Sequence, residues 1–110
     1  MGINKELTKG STALLILSVL SEQEMYGYQM IGEINRRSEN VFSMKEGTLY
    51  PILHAMVADG LLESYDAQSE TGRERKYYRI TAAGNLQLKA RREEWQVFTG
   101  AVNRVIGEEQ

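Results

Sequence analysis

"GTLYPIL", Gly47 to Leu53, holds a contradiction whose resolution decides the fold. Apolar residues continue from it at helical spacing, yet Pro51, the only proline in the 110-residue chain, sits among them. Inside a helix a proline removes a backbone donor and strikes the carbonyl four residues back, which costs about 3 kcal/mol or more. That cost largely disappears if the helix begins close by. Thr48 is a good N-cap, and it would make Leu49, Tyr50 and Pro51 the first helical positions, where amides have no intrahelical partner and the Gly47 carbonyl lies outside the helix. Leu49, Leu53, Met56 and Val57 then make a core stripe, and Gly60 is placed to end the helix with a left-handed cap. "SMKE", Ser43 to Glu46, has capping-box spacing, which leaves open a short preceding turn or an earlier start of the same helix with a kink at Pro51. The start at Thr48 is the preferred reading.

Upstream, Ser11 or Thr12 supplies an N-cap for an apolar helix running to about Ser21. It is apolar on nearly every side, which suits a helix buried between its own domain and something else. After "SEQEM", the stretch "YGYQMIGEINRRS" returns to helical spacing with Tyr26, Met30, Ile31 and Ile34. Downstream of Gly60, "LLESY" and "KYYRIT" are rich in strand-forming residues, and the polar "DAQSETGRER" between them predicts a hairpin with a long loop. Thr81 can cap a final helix from about Ala82 to Ile106. In it Leu88, Trp95 and Val102 recur every seven residues with Phe98 and Val105 between them, an a/d seam interrupted by Arg91 or Arg92. A lone helix cannot hide such a seam.

The length suits one domain, and the balance of apolar and charged residues is that of a folded globular chain. With no cysteine and a single histidine, neither a disulfide scaffold nor a thiolate or histidine metal site is expected, and no cofactor is implied. "ALLILSVL" is too short to span a bilayer and lacks the flanks of a signal peptide, which places the expected chain in the cytoplasm, away from membrane. The net charge of −2 means that any polyanion must be met by a local patch.

The resulting plan is mainly α with a small β-hairpin: a winged helix-turn-helix over residues 1–81 and a C-terminal dimerisation helix over 82–110, in one compact unit. Winged helices also serve as protein adaptors, so specific residues must decide the function. Arg73, Arg75, Lys76 and Arg79 stand against Glu74 alone, so cations dominate the hairpin of a chain that is acidic in total. They either follow a DNA backbone or narrow minor groove, or merely solubilise a hairpin and pair with Glu70 and Glu74. Lys45, Thr48 and Tyr50 offer donors beside the free amides at the start of the third helix, a seat for phosphate; alternatively Thr48 is a cap and Tyr50 half-buried packing. His54, one turn on, is either a base or phosphate contact or an idle surface residue. Tyr28 can donate to phosphate, and Gly27 allows a close approach by another backbone. Trp95 either packs against its counterpart in a dimer or walls a slot for a flat aromatic ligand. No nucleophile with a paired base, Gly-rich phosphate loop or evident carboxylate pair points to an enzyme.

Taken together, "LTKGSTALLILSVLSEQEMYGYQMIGEI", "GTLYPILHAMVADGLLES" and "GRERKYYRITAAG" resemble the PadR family of bacterial transcriptional regulators over about Leu7 to Gly84. The resemblance implies a winged-helix homodimer that binds palindromic operator DNA, usually as a repressor released by a small molecule or other signal. The single helix after the wing is similar to the short-tailed branch, in which that helix and the first one build the dimer interface, here through Leu14, Leu17, Leu88, Trp95, Phe98, Val102 and Val105. By position, the resemblance assigns Tyr28, Thr48 and Tyr50 to DNA-facing sites and Arg73, Arg75 and Lys76 to the basic wing. Glu74 departs from the proline frequent in relatives, and an acid there weakens the wing's field. Trp95 with Phe98 is compatible with aromatic effector sensing. The competing reading is a winged-helix protein-binding adaptor without DNA affinity.

Overall fold

A cluster of buried apolar side chains draws the elements together: Ile16, Leu17 and Leu20, then Met30 and Ile34, Leu49, Leu53 and Met56, Leu62 and Tyr78, and finally Leu88. The computed structural model describes residues 10–108, so the outer ends of the two expected segments, 1–9 and 109–110, lie outside the described residues. In chain order the elements are α1 (Thr12–Leu20), β1 (Met25–Tyr26), α2 (Gly27–Arg37), α3 (Glu46–Ala58), β2 (Leu62–Gln68), β3 (Glu74–Ile80) and α4 (Ala82–Ile106). This is a winged helix-turn-helix followed by one long helix.

The contradiction in "GTLYPIL" is resolved by the earlier start. α3 begins at Glu46 with Lys45 as its extended N-cap, and Thr48 sits inside the first turn, where its N–H donates to the Lys45 carbonyl at 3.1 Å. Thr48 is therefore not the cap, and Pro51 lies within the helix. The bond that Pro51 forgoes would have served the carbonyl of Gly47, an exposed first-turn residue that solvent can reach. Ser43 does not close the expected box: its hydroxyl donates to the Asn40 carbonyl instead. The end of α3 is as expected. Gly60 has φ +77°, its N–H reaches the Val57 carbonyl at 3.0 Å, and Leu61 N–H reaches that of Met56 at 2.9 Å, a Schellman arrangement.

Three other expectations change. Ser11 stands at the N-cap of α1 in helical conformation, without a side-chain capping bond. The sheet has three antiparallel strands in the order β1-β3-β2, because Met25 and Tyr26 pair with Tyr78 and Tyr77. Tyr26 is thus a strand residue at the threshold of α2, where its N–H donates to the Gln29 side chain at 3.1 Å. Half of the long polar loop is strand: pairing extends from Leu62↔Ile80 to Gln68↔Glu74, leaving a short turn with Gly72 at φ +85°.

Between α2 and α3, Asn35 accepts from Met44 N–H at 2.6 Å and donates back to the Met44 carbonyl at 3.3 Å, fixing the turn that orients α3. Thr81 caps α4 by accepting from Gly84 N–H at 3.0 Å, and its hydroxyl donates to the Gly60 carbonyl at 2.7 Å. A side chain on Gly84 would strike the Leu61 carbonyl, so α4 leaves the body in close contact with the α3–β2 joint.

Candidate nucleic-acid interface

Three elements meet at the start of α2. Gly27 is there because the ring of Tyr50, from α3, lies where a Cβ would project; the close approach is by a side chain, not the backbone expected. Tyr50 is accordingly half-buried, wedged against α2. Tyr28, the next residue, is half exposed, at 50%. The Glu46 carboxylate at the start of α3 raises the Tyr28 pKa, first as hydrogen-bond partner and then by its charge, so this phenol keeps its proton. On the side of the wing, the Arg75 guanidinium lies over both tyrosine rings, 5.0 Å from the centroid of Tyr26 and 5.5 Å from that of Tyr28.

Tyr28, Tyr50 and Arg75 are thus brought together, and Lys45, Thr48 and His54 are exposed along α3. Glu46 was missed as a member of this group. Its place in the "SMKE" box had suggested capping alone, and nothing local in the sequence announces that Tyr28 comes from another helix to meet it.

The cations of the hairpin divide by their surroundings. Lys76 faces Asp66 across the ladder, with Nζ 3.6 Å from the carboxylate, and both side chains are mostly exposed. Arg79 faces Glu63 at 3.0 Å, approaches Glu24 at 4.0 Å and covers the ring of Tyr65 at 4.9 Å. Their partners are Asp66, Glu63 and Glu24 rather than Glu70 and Glu74. Exposed pairs of this kind add little stability, so a phosphate can replace the acid. Arg73, in the exposed turn, makes no ion pair among the described residues. Alternation along β3 puts Arg75 and Arg79 on one face and Lys76 on the other.

The far end of the molecule is different in kind. Beyond Leu88, α4 exposes Trp95 (45%), Phe98 (60%) and Val105 (87%), together with Val97, Val102 and Ile106. Trp95 and Phe98 lie 6.1 Å apart between ring centroids and, with Leu14, Arg91 and Glu94, line a cavity of about 530 Å³ against the start of α1. Of the residues expected in a dimer face, Leu14 is half-buried, while Leu17 and Leu88 are buried in the protomer's own core; Leu17, at 0% exposure, has no surface left to offer a second copy.

Among the described residues no helix is long and apolar enough to cross a membrane, and no group of side chains could hold a metal ion. The family described as transcriptional regulator PadR-like matches residues 16–90. A transcriptional regulator of Mycobacterium tuberculosis is 36% identical over 84 residues, 76% of this chain and 75% of that protein. Among solved structures, a transcriptional regulator from Clostridium thermocellum superposes with a TM-score of 0.82 at 32% identity, covering 90% of this chain and 96% of the other. A PadR-like transcriptional regulator from Bacillus cereus does so with a TM-score of 0.81 at 32% identity, covering 92% and 96%.

Proposed function

This chain belongs to the PadR-like family of transcriptional regulators, and on that premise we propose that it is a homodimeric, sequence-specific DNA-binding repressor acting in the cytoplasm and relieved by an aromatic small molecule. The winged helix through Thr81 reads the operator, and α4 with the start of α1 joins two copies. Each α3 enters a major groove while each wing straddles the neighbouring backbone, so half-sites lie about one helical turn, or a multiple of it, apart. The observation that carries this reading is that the two elements expected to meet DNA both expose donors or cations: the start of α3 with Lys45 and Thr48, and the hairpin with Arg73 and Lys76. The positive end of the α3 dipole and its free amides favour phosphate there. The effector is seated against Trp95 and Phe98, in the cavity between α1 and α4.

The experiment is a mobility-shift titration against the gene's own upstream region over a range of salt. Specific retention is expected, and Arg73→Ala and Lys76→Ala each flatten the dependence of log affinity on log salt by about one unit per lost phosphate contact. Unchanged slopes in both variants would take the wing out of the interface. The pairing of Lys76 and Arg79 with acids of the same chain, and Glu46 at the head of α3, favour a second reading, a protein-binding adaptor. That reading predicts no retention of DNA at moderate salt. For the effector, a flat aromatic compound is expected to quench Trp95 and lower operator affinity together; quenching alone would leave a pocket without a switch.

A further inference from the structure

Arg75 sits in a run of wing cations but has none of their surroundings. Lys76 and Arg79 each face an acid across the ladder, whereas the residue opposite Arg75 is Ala67. Its guanidinium is turned instead toward two tyrosines of the helix-turn-helix segment, one from β1 and one from the first turn of α2. The side chain is half-buried, and its Nε is buried without a hydrogen-bond partner among the described residues. A phosphate clamp would present its donor fork to solvent; here the Nε of that fork is covered and the flat face lies over two rings.

The contact continues across the sheet. Tyr26 meets Tyr77 edge to face with centroids 5.3 Å apart, and Tyr77 stacks on Tyr65 at 5.6 Å. Arg79 lies over Tyr65, whose hydroxyl donates to Glu24. One layer of rings and guanidiniums therefore runs from α2 through β1 and β3 to β2, and Arg75 is its link to Tyr28. The backbone tie between α2 and the hairpin is short, since β1 contributes only the pairs Met25↔Tyr78 and Tyr26↔Tyr77.

We infer that Arg75 is a positioning residue: its guanidinium, laid over Tyr26 and Tyr28, locks the wing to the head of α2 and so sets the angle between the hairpin and the helix-turn-helix that carries α3. This goes beyond the DNA-binding reading and depends on it only for its consequence at the operator. Lysine keeps the charge but not the planar face that stacks on aromatic rings, so Arg75→Lys separates the two roles.

Because Tyr26 N–H is taken by the Gln29 side chain, the test is amide exchange at Met25 and Tyr78, the other pair of the short ladder, in the DNA-free, full-length protein, followed by operator titrations over a range of salt. In Arg75→Lys, exchange at both amides is expected to rise about tenfold while α3 amides keep their protection. Operator affinity falls with the salt slope unchanged. Tyr28→Leu, which removes an exposed ring and leaves β3 intact, gives the same rise and guards against a folding defect in the first variant. Arg75→Lys and Tyr28→Leu exchanging at the wild-type rate would overturn the inference. So would an Arg75→Ala variant that loses about one unit of salt slope with exchange unaltered, since that is the behaviour of a phosphate contact. If the wild-type protein binds no DNA, the function proposed above fails, and the exchange experiment still decides the role of Arg75.

Discussion

The winged-helix body and the outer half of α4 are built from the same kinds of apolar residue and end with opposite surfaces. In the body, Ile16, Leu17, Met30, Leu49, Leu53 and Tyr78 are removed almost entirely from water by neighbours in the same chain. Past Leu88, Trp95, Phe98, Val102 and Val105 repeat with a regular spacing and remain exposed. A protomer can satisfy the first region alone. The second is a surface of the kind that marks an interaction site. The difference teaches that apolar periodicity locates a face to be covered without saying who covers it. Leu17 shows this from the other side: its place on α1 fits a dimer face, but the protomer's own core has claimed it.

The sharpest way to break the comparison is therefore to cut each region separately. Leu17→Ala should lower folding stability by about 2–5 kcal/mol, as for other buried leucines, measured by urea denaturation. If Leu17 instead belonged to a subunit contact, the variant would dissociate before it unfolded. Phe98→Asp together with Val102→Asp should leave the body folded by near-ultraviolet circular dichroism and yield single chains. Their operator affinity should drop by about 100-fold or more, because two linked reading heads bind far better than one. Retained pairing would show that another surface joins the copies.

A smaller effect separates body from tail by pH. Arg36 and Arg37 hold the Glu33 carboxylate down to about 2 from its usual 4.5, first by hydrogen bonds and then by charge. Arg37 also bridges to Glu22 at 2.9 Å, so this cluster ties α2 to the turn after α1. Because the folded protein favours the ionised form, the stabilisation is complete above the unfolded pKa and is lost as pH falls from about 4.5 toward 2. Glu33→Gln should flatten the fall of Tm in that window and leave the oligomeric state at pH 7 unchanged. An acid limb identical to wild type would remove Glu33 from the account.

Much of this was legible in the chain, and what was not has physical reasons. The helices, the wing, the Thr81 cap and the left-handed Gly60 follow from local chemistry, and the structure contains them. β1 was invisible because two residues carry no period; only Tyr77 and Tyr78 on a distant strand make Met25 and Tyr26 a strand. The start of α3 was misjudged by giving Thr48 the cap, when the exposed first turn tolerates the bond that Pro51 cannot make. At the candidate site the residue types were readable but their partners were not. A run of arginine and lysine reads as one patch, whereas register gives Lys76 an acid, Arg79 two acids and a ring, and Arg75 two rings.

The proposed function requires two bodies joined through their tails, and sedimentation velocity of the intact protein at micromolar concentration tests this most directly. A single boundary at twice the chain mass, reverting to one chain mass in the Phe98→Asp, Val102→Asp variant, is the predicted result. A single-chain boundary for the wild-type protein would contradict it.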